Sequence, residues 1–243
     1  MFKKSYLSKS NLVLIFFLQA IASNAQHLDS FHIAPKYTPV DFKFHLKTTY
    51  FPAMCIALGS NANNEEFIID NHAIKEERDE ELPNFKTHID DYMQYAPIVA
   101  GYGCLAFGSK QNAWLYTKEV LLNEAIMSTS VYAVKHLSKV HSVVNGSYNA
   151  FPSGHTTQAF SVATLFNDNF AKGKIWLQSL TYGSASAVGV LRVLNNRHWT
   201  SDVVAAAGFG ILSAKISEWI LVPRYNRKHA NNTTKYVQEN LGF

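Results

Sequence analysis

A chain of 243 residues, 47 % hydrophobic and 16 % charged, has the length and apolar content of a folded domain with a large core, which excludes a disordered or collagen-like polypeptide. Its formal net charge of +4 drops to +1 once Lys3, Lys4 and Lys9 of the N-terminal stretch are set aside, so no nucleic-acid partner is implied. Two cysteines, Cys55 and Cys104, are too few for a disulfide scaffold; their apolar surroundings suit buried free thiols as well as a pair.

Residues 1–25 read as a secretory signal peptide: the three lysines, an apolar core over 11–22, then Ser23-Asn24-Ala25 with small residues where signal peptidase cuts. The apolar core is short for an uncleaved span, which needs ~20 residues. Cleavage leaves 218 residues beginning at Gln26, exported to the periplasm or cell envelope. Residues 26–89 form an N-terminal leader with Pro35 and Pro39, a short apolar run over 48–58, and an acidic helical region from Glu65 to Glu81. That acidic region lacks the ligand spacing and turn glycine of a cation-binding loop and reads as a solvated helix face.

From Asp90-Asp91-Tyr92 the chain turns apolar and helical, and residues 90–223 make up the core region. One helix follows Pro97 to about Phe107. A second, over 112–135, places Trp114, Leu115, Leu121, Leu122, Ala125 and Ile126 on roughly one face and ends near Lys135. A polar loop over 138–150 turns at Asn145-Gly146. Apolar segments over 174–191 and 199–221 complete the region, the last expected to stop at Pro223, with 224–243 a polar, basic tail. Strand-like alternation is nearly absent, so the expected fold is all-α, a helical bundle.

Two stretches carry chemistry. In Phe151-Pro152-Ser153-Gly154-His155-Thr156-Thr157, Pro, Ser and Gly break the preceding structure and the apolar spacing after them starts a helix. A helix start presents unpaired N–H groups and partial positive charge to an anion. The second stretch runs from Leu191 and Arg192 through Asn195-Asn196-Arg197 to His198, Trp199 and Asp202. His198 and Asp202 are four apart, so Asp202 can hold one ring nitrogen and leave the other basic. Arg192 offers a planar fork for phosphate oxygens.

Pro-Ser-Gly-His followed, 37 residues after His155, by Arg192, then His198 and Asp202, resembles the type 2 phosphatidic acid phosphatase superfamily, which includes lipid phosphatases, bacterial acid phosphatases and vanadium haloperoxidases. The resemblance covers about residues 90–220. It implies His198 as nucleophile forming a phosphohistidine, with Asp202 orienting it and His155 as acid toward the leaving oxygen. Lys135, Ser153, Gly154 and Arg192 would bind the phosphate, with no metal or other cofactor. The family's first motif is incomplete: Lys135 takes its lysine position, but Ser142 and Val143 stand where Arg-Pro is expected, and Leu191 replaces a serine before Arg192. Lys135 equally suits a helix-end cap on backbone carbonyls.

The expected function is therefore an exported, metal-independent phosphatase acting on a phosphorylated lipid or small phosphomonoester. A phosphate-binding protein without turnover, a vanadate-dependent haloperoxidase, and a zinc site built from His198, Asp202 and His155 or His141 are the alternatives. Charges such as Lys118, Glu119, Glu124, Lys215 and Glu218 interrupt the apolar segments, which favours a soluble or peripherally membrane-associated protein.

Overall fold

The computed structural model describes residues 45–61, 70–108, 112–138, 140–143 and 149–241, with side chains in the last segment described to Asn232. Residues 1–44, on which the expected signal peptide and most of the expected leader fall, lie outside the described residues, as do Glu65, Glu66, Lys139 and Asn145-Gly146, where a turn is expected. A short 3-10 turn over Leu46–Thr49 precedes eight helices: α1 Tyr50–Asn61, α2 Asn71–Glu81, α3 Ile89–Met93, α4 Ala96–Ala106, α5 Ala113–Ser138, α6 Gly154–Phe170, α7 Ile175–Leu194 and α8 Thr200–Leu241. No strand occurs among the described residues, so the fold is the all-α bundle expected.

Helix α6 is the centre. Its residues from Thr156 to Asn167 are buried on nearly every side, an arrangement its small side chains permit. The polar ones bond locally: Thr157 donates to the Ser153 carbonyl, Ser161 to that of Gln158, and Thr164 to that of Phe160. Helix α8 packs most extensively on α6 and α1 and then on α5, while α7 lies against α6.

Close approach of α8 depends on two glycines. A Cβ at Gly208 would sit 2.3 Å from the Pro52 carbonyl oxygen of α1, and one at Gly210 would sit 2.4 Å from the Thr157 carbonyl oxygen of α6. Both obstacles are backbone, so neither can yield without moving a helix. Gly210→Ala is expected to destabilise the fold by ~1–3 kcal/mol or more, the usual range for overpacking. Urea unfolding checks this; an unchanged midpoint would mean that α6 and α8 are not locked together as described.

Two sequence expectations are corrected. The buried stripe of α5 is Leu115, Tyr116, Glu119, Val120, Asn123, Met127 and Val131, whereas Trp114 and Leu121 are 65 % and 63 % exposed. Two of the polar residues in that stripe find partners on α6: Glu119 accepts from Asn169 and Asn123 donates to Ser161. Burial, the dominant influence, pushes the Glu119 carboxyl up to about 7.

Helix α8 does not stop at Pro223 but runs through it, sacrificing locally the one amide donor that proline lacks. The same helix, over Thr200–Asn232, is long and apolar enough by length and composition to cross a membrane, and 56 % of its most apolar stretch is buried inside the fold. Lys215 and Glu218, which argued against such a segment, are paired charges: Lys215 binds Asp168 and lies 3.5 Å from Glu218. Both cysteines are free, Cys55 buried and Cys104 half-buried. The acidic face of α2 is solvated at Glu76, Glu77, Glu80 and Glu81, as expected.

Candidate active site

The two motif stretches meet where α6 and α8 begin. Phe151 and Pro152, joined by a cis peptide bond, lead into Ser153, the residue before α6. The Ser153 amide donates to the backbone carbonyl of Asp202 at 3.2 Å, tying the start of α6 to the first turn of α8. The Ser153 hydroxyl, fully buried, accepts from Thr156. Gly154 opens α6, and a Cβ there would meet nothing within 4 Å, so space is open beside the helix start.

Helix α8 begins after a turn in which Asn196 adopts a left-handed φ of 56°, a conformation asparagine tolerates better than most residues. Asp202 is the anchor of that entry. Its carboxylate Oδ2 accepts the Trp199 amide at 2.9 Å, a reach-back of the capping-box kind, and lies 3.3 Å from His198 Nδ1. Because Oδ2 is thus the acceptor at Nδ1, His198 carries its proton there and leaves Nε2 with a free lone pair. Burial holds the His198 imidazole below its ordinary range; Asp202 opposes that, and the positive charges of Arg192 and Lys135 add to it.

Arg192, in the last turn of α7, is where the groups converge. Its guanidinium depresses the pKa of His155, His198 and Lys135 alike, though for each of these burial is the larger cause. Arg192 Nη1 donates to Asp90 Oδ2 at 2.8 Å, while its buried Nε has no partner among the described residues. An unpaired buried donor costs ~1–3 kcal/mol, which an anion's oxygen arriving there would offset. Lys135 donates to the Asn149 and Ala150 carbonyls at 2.5 and 3.3 Å. It therefore braces the chain entering Phe151 while remaining within electrostatic range of Asp202, whose charge opposes the effect of burial. Ser142 and Val143 contribute no cation in place of the expected arginine.

His155 projects from the first turn of α6 with its side chain 31 % exposed, and its Nε2 lies 2.9 Å from Asp91 Oδ1. Asp90 and Asp91 were seen in the sequence only as the edge of the apolar region. Asp90 is buried and also accepts from Asn195 at 3.1 Å; Asn195 in turn exchanges hydrogen bonds with the backbone of Thr87. Asn71 holds both the amide and the hydroxyl of Ser201, and Arg78 donates to the Leu194 carbonyl at 2.9 Å. The Trp199 ring lies 5.4 Å from that of His72, tilted by 57°, and its indole N–H donates to the His141 carbonyl. These contacts link residues 58 to 130 positions apart, so no spacing rule would have found them.

Donor atoms of Asp90, Asp91 and His155 lie within 4.8 Å of one another, the one such group among the described residues. Asp90 is already committed to Arg192 and Asn195, and Arg192 Nη1 stands 3.9 Å from Asp91 Oδ1. A fixed guanidinium there fits an anion and opposes a cation.

A family model described as the PAP2 superfamily matches residues 99–226. A lipid A 1-phosphatase from Porphyromonas gingivalis is 35 % identical over 140 residues, covering 56 % of this chain and 32 % of that protein, so the match spans about a third of the relative's length. Among solved structures, the first transmembrane PAP2 type phosphatidylglycerolphosphate phosphatase from Bacillus subtilis aligns with a TM-score of 0.51 at 18 % identity, over 70 % of this chain and 96 % of that one. Aquifex aeolicus LpxE aligns with a TM-score of 0.47 at 18 % identity, over 62 % and 97 %.

Proposed function

This chain belongs to the PAP2 superfamily, and from that premise we propose that it is an exported phosphatase cleaving a phosphorylated lipid or small phosphomonoester through a phosphohistidine, without a metal. The observation that carries the reading is the convergence on Arg192 of a buried carboxylate–histidine pair, a second histidine at a helix start and an unpaired buried Nε. The resemblance to a lipid A 1-phosphatase favours a lipid phosphate over a soluble one.

In the proposed reaction His198 Nε2 attacks phosphorus in line, the P–O bond to the leaving group breaks, and His155 gives that oxygen a proton. Water then attacks the phosphohistidine, neutral His155 takes the water's proton, and inorganic phosphate departs. Arg192 and the Gly154 amide hold the equatorial oxygens as charge develops, the Ser153 hydroxyl completes that phosphate-binding turn from its buried position, and Lys135 adds its charge from its seat on the Asn149 and Ala150 carbonyls.

The test is phosphate release by the full chain from lipid A, phosphatidic acid and an aryl phosphate, in the presence of chelator. Release without added metal and inhibition by vanadate are expected; release that requires a divalent cation would overturn the metal-free reading. A second reading, phosphate binding without turnover, is favoured by Ser142 in place of the first-motif arginine. It predicts binding of inorganic phosphate with no release from any of the three.

Both histidines are held below the ordinary imidazole value of ~6.5, chiefly by burial. His198 must be neutral to attack, and His155 protonated to act as acid. A lowered nucleophile pKa preserves attack into acid, while a lowered acid pKa removes the proton early as pH rises. The kcat/KM profile is therefore expected to peak on the acid side of ~6.5 and to fall toward neutrality. A plateau extending through neutral pH would contradict the assignment of His155.

A further inference from the structure

Helix α3 is only five residues long, lies outside the matched region, and yet inserts two adjacent carboxylates into the site. Asp90, buried, braces Arg192 from behind. Asp91 is different. Its side chain is 42 % exposed, it accepts from His155 Nε2 through Oδ1 at 2.9 Å, and through Oδ2 it meets His88 Nδ1 at 3.1 Å. His155 Nδ1 makes no hydrogen bond among the described residues. The site thus holds two carboxylate–histidine pairs, one buried at His198 and one at the mouth.

We propose that Asp91 is the positioning residue of the leaving-group acid: it grips His155 by Nε2, favours the imidazolium, and leaves Nδ1 as the nitrogen that delivers the proton. This rests on the phosphatase reading above. Before the step both ring nitrogens of His155 carry protons. As the P–O bond breaks, the Nδ1 proton passes to the leaving oxygen, and the Nε2 proton stays on the ring, hydrogen-bonded to Asp91. The charged groups facing His155 are Asp91 and Asp90 from α3 and Arg192 from α7, with His88 reaching it only through Asp91. Burial and Arg192 push the imidazole toward its neutral form, and Asp91, ahead of Asp90, is the main opposing influence. Without Asp91 nothing of comparable strength would keep a proton on the acid.

A structural role for Asp91 and a role through His155 separate by leaving group. An aryl phosphate departs as a stabilised phenoxide and gains little from an acid, whereas an alkyl or lipid phosphate depends on one. General acid catalysis contributes typically ~10²–10⁴-fold. Asp91→Asn, which keeps an acceptor for Nε2 but no charge, is expected to lose activity on an alkyl phosphate at least ~10-fold more than on an aryl phosphate, a fraction of that range. The alkaline limb of its kcat/KM profile should move to lower pH, and Asp91→Ala should exceed it in both respects.

Equal losses on the two substrates with an unmoved limb would overturn the proposal, as would faster turnover, which would make Asp91 a plug competing with phosphate. Stimulation of the wild type, but not the variant, by a divalent cation would also overturn it. Independently of turnover, ring-nitrogen NMR of His155 in the intact protein should show its titration at lower pH in Asp91→Asn; an unchanged titration refutes the proposal even if no substrate is cleaved. A wild type that releases no phosphate while this shift is seen would instead count against the phosphatase reading alone.

Discussion

Replacing His198 by alanine is expected to abolish phosphate release, by at least ~10³-fold in kcat, the scale seen when a nucleophile is removed from a catalytic unit. No nearby group can take its place. Lys135 is engaged with the Asn149 and Ala150 carbonyls, and His155 is held by Asp91. The His198 side chain is 11 % exposed, so the variant opens a small void, and circular dichroism with thermal melting should show it folded. The decisive companion measurement is a rapid acid and alkali quench of the wild type with labelled substrate. A phosphoenzyme stable to alkali and lost in acid is expected, and absent from His198→Ala. Equal turnover by the two proteins would remove His198 from the reaction.

Asp202→Asn should be nearly as damaging to activity but not to folding. In the native arrangement Oδ2 serves two donors, the Trp199 amide and His198 Nδ1. An asparagine oxygen can keep the Trp199 bond, so the entry to α8 survives. The negative charge that steadies the imidazolium is lost, and any rotation of the amide presents N–H to Nδ1 and moves the ring proton to Nε2, where attack must occur. A fall in kcat of about 10³-fold or more is expected, comparable to losing the orienting carboxylate of other histidine-based sites. Asp202→Ala differs in kind: it strands a buried amide and a ring N–H, each worth ~1–3 kcal/mol when unpaired, so its melting temperature should drop as well. Wild-type kcat in Asp202→Asn would show that the pair is only structural.

What the sequence showed and what it hid divide along contact range. Ser153, Gly154 and His155 at the start of α6, and His198 and Asp202 at the start of α8, follow from turn chemistry and a four-residue interval, while Arg192 closes α7 just before them. The buried face of α5 was misplaced because Glu119 and Asn123 count as surface residues until Asn169 and Ser161 are known to meet them. Pro223 was read as a stop because its rule is local, whereas α8 is held by α6, α1 and α5 along its earlier turns. Asp90 and Asp91 did not stand out in the sequence because a carboxylate pair at a helix start is common, and its partners lie 64 to 105 residues away. Lys135 was legible in place but not in partner.

The bond from the Ser153 amide to the Asp202 carbonyl joins the two motifs through main chain alone. No side-chain atom takes part in it, so substitutions other than proline at position 153 leave its donor and acceptor in place and the two helix starts stay tied. The parts that grip that unit from outside, Asn71, Arg78, Asp90 and Asp91, all act through side chains. Single substitutions in α2 and α3 can therefore loosen the grip on the two helix starts without parting them from each other.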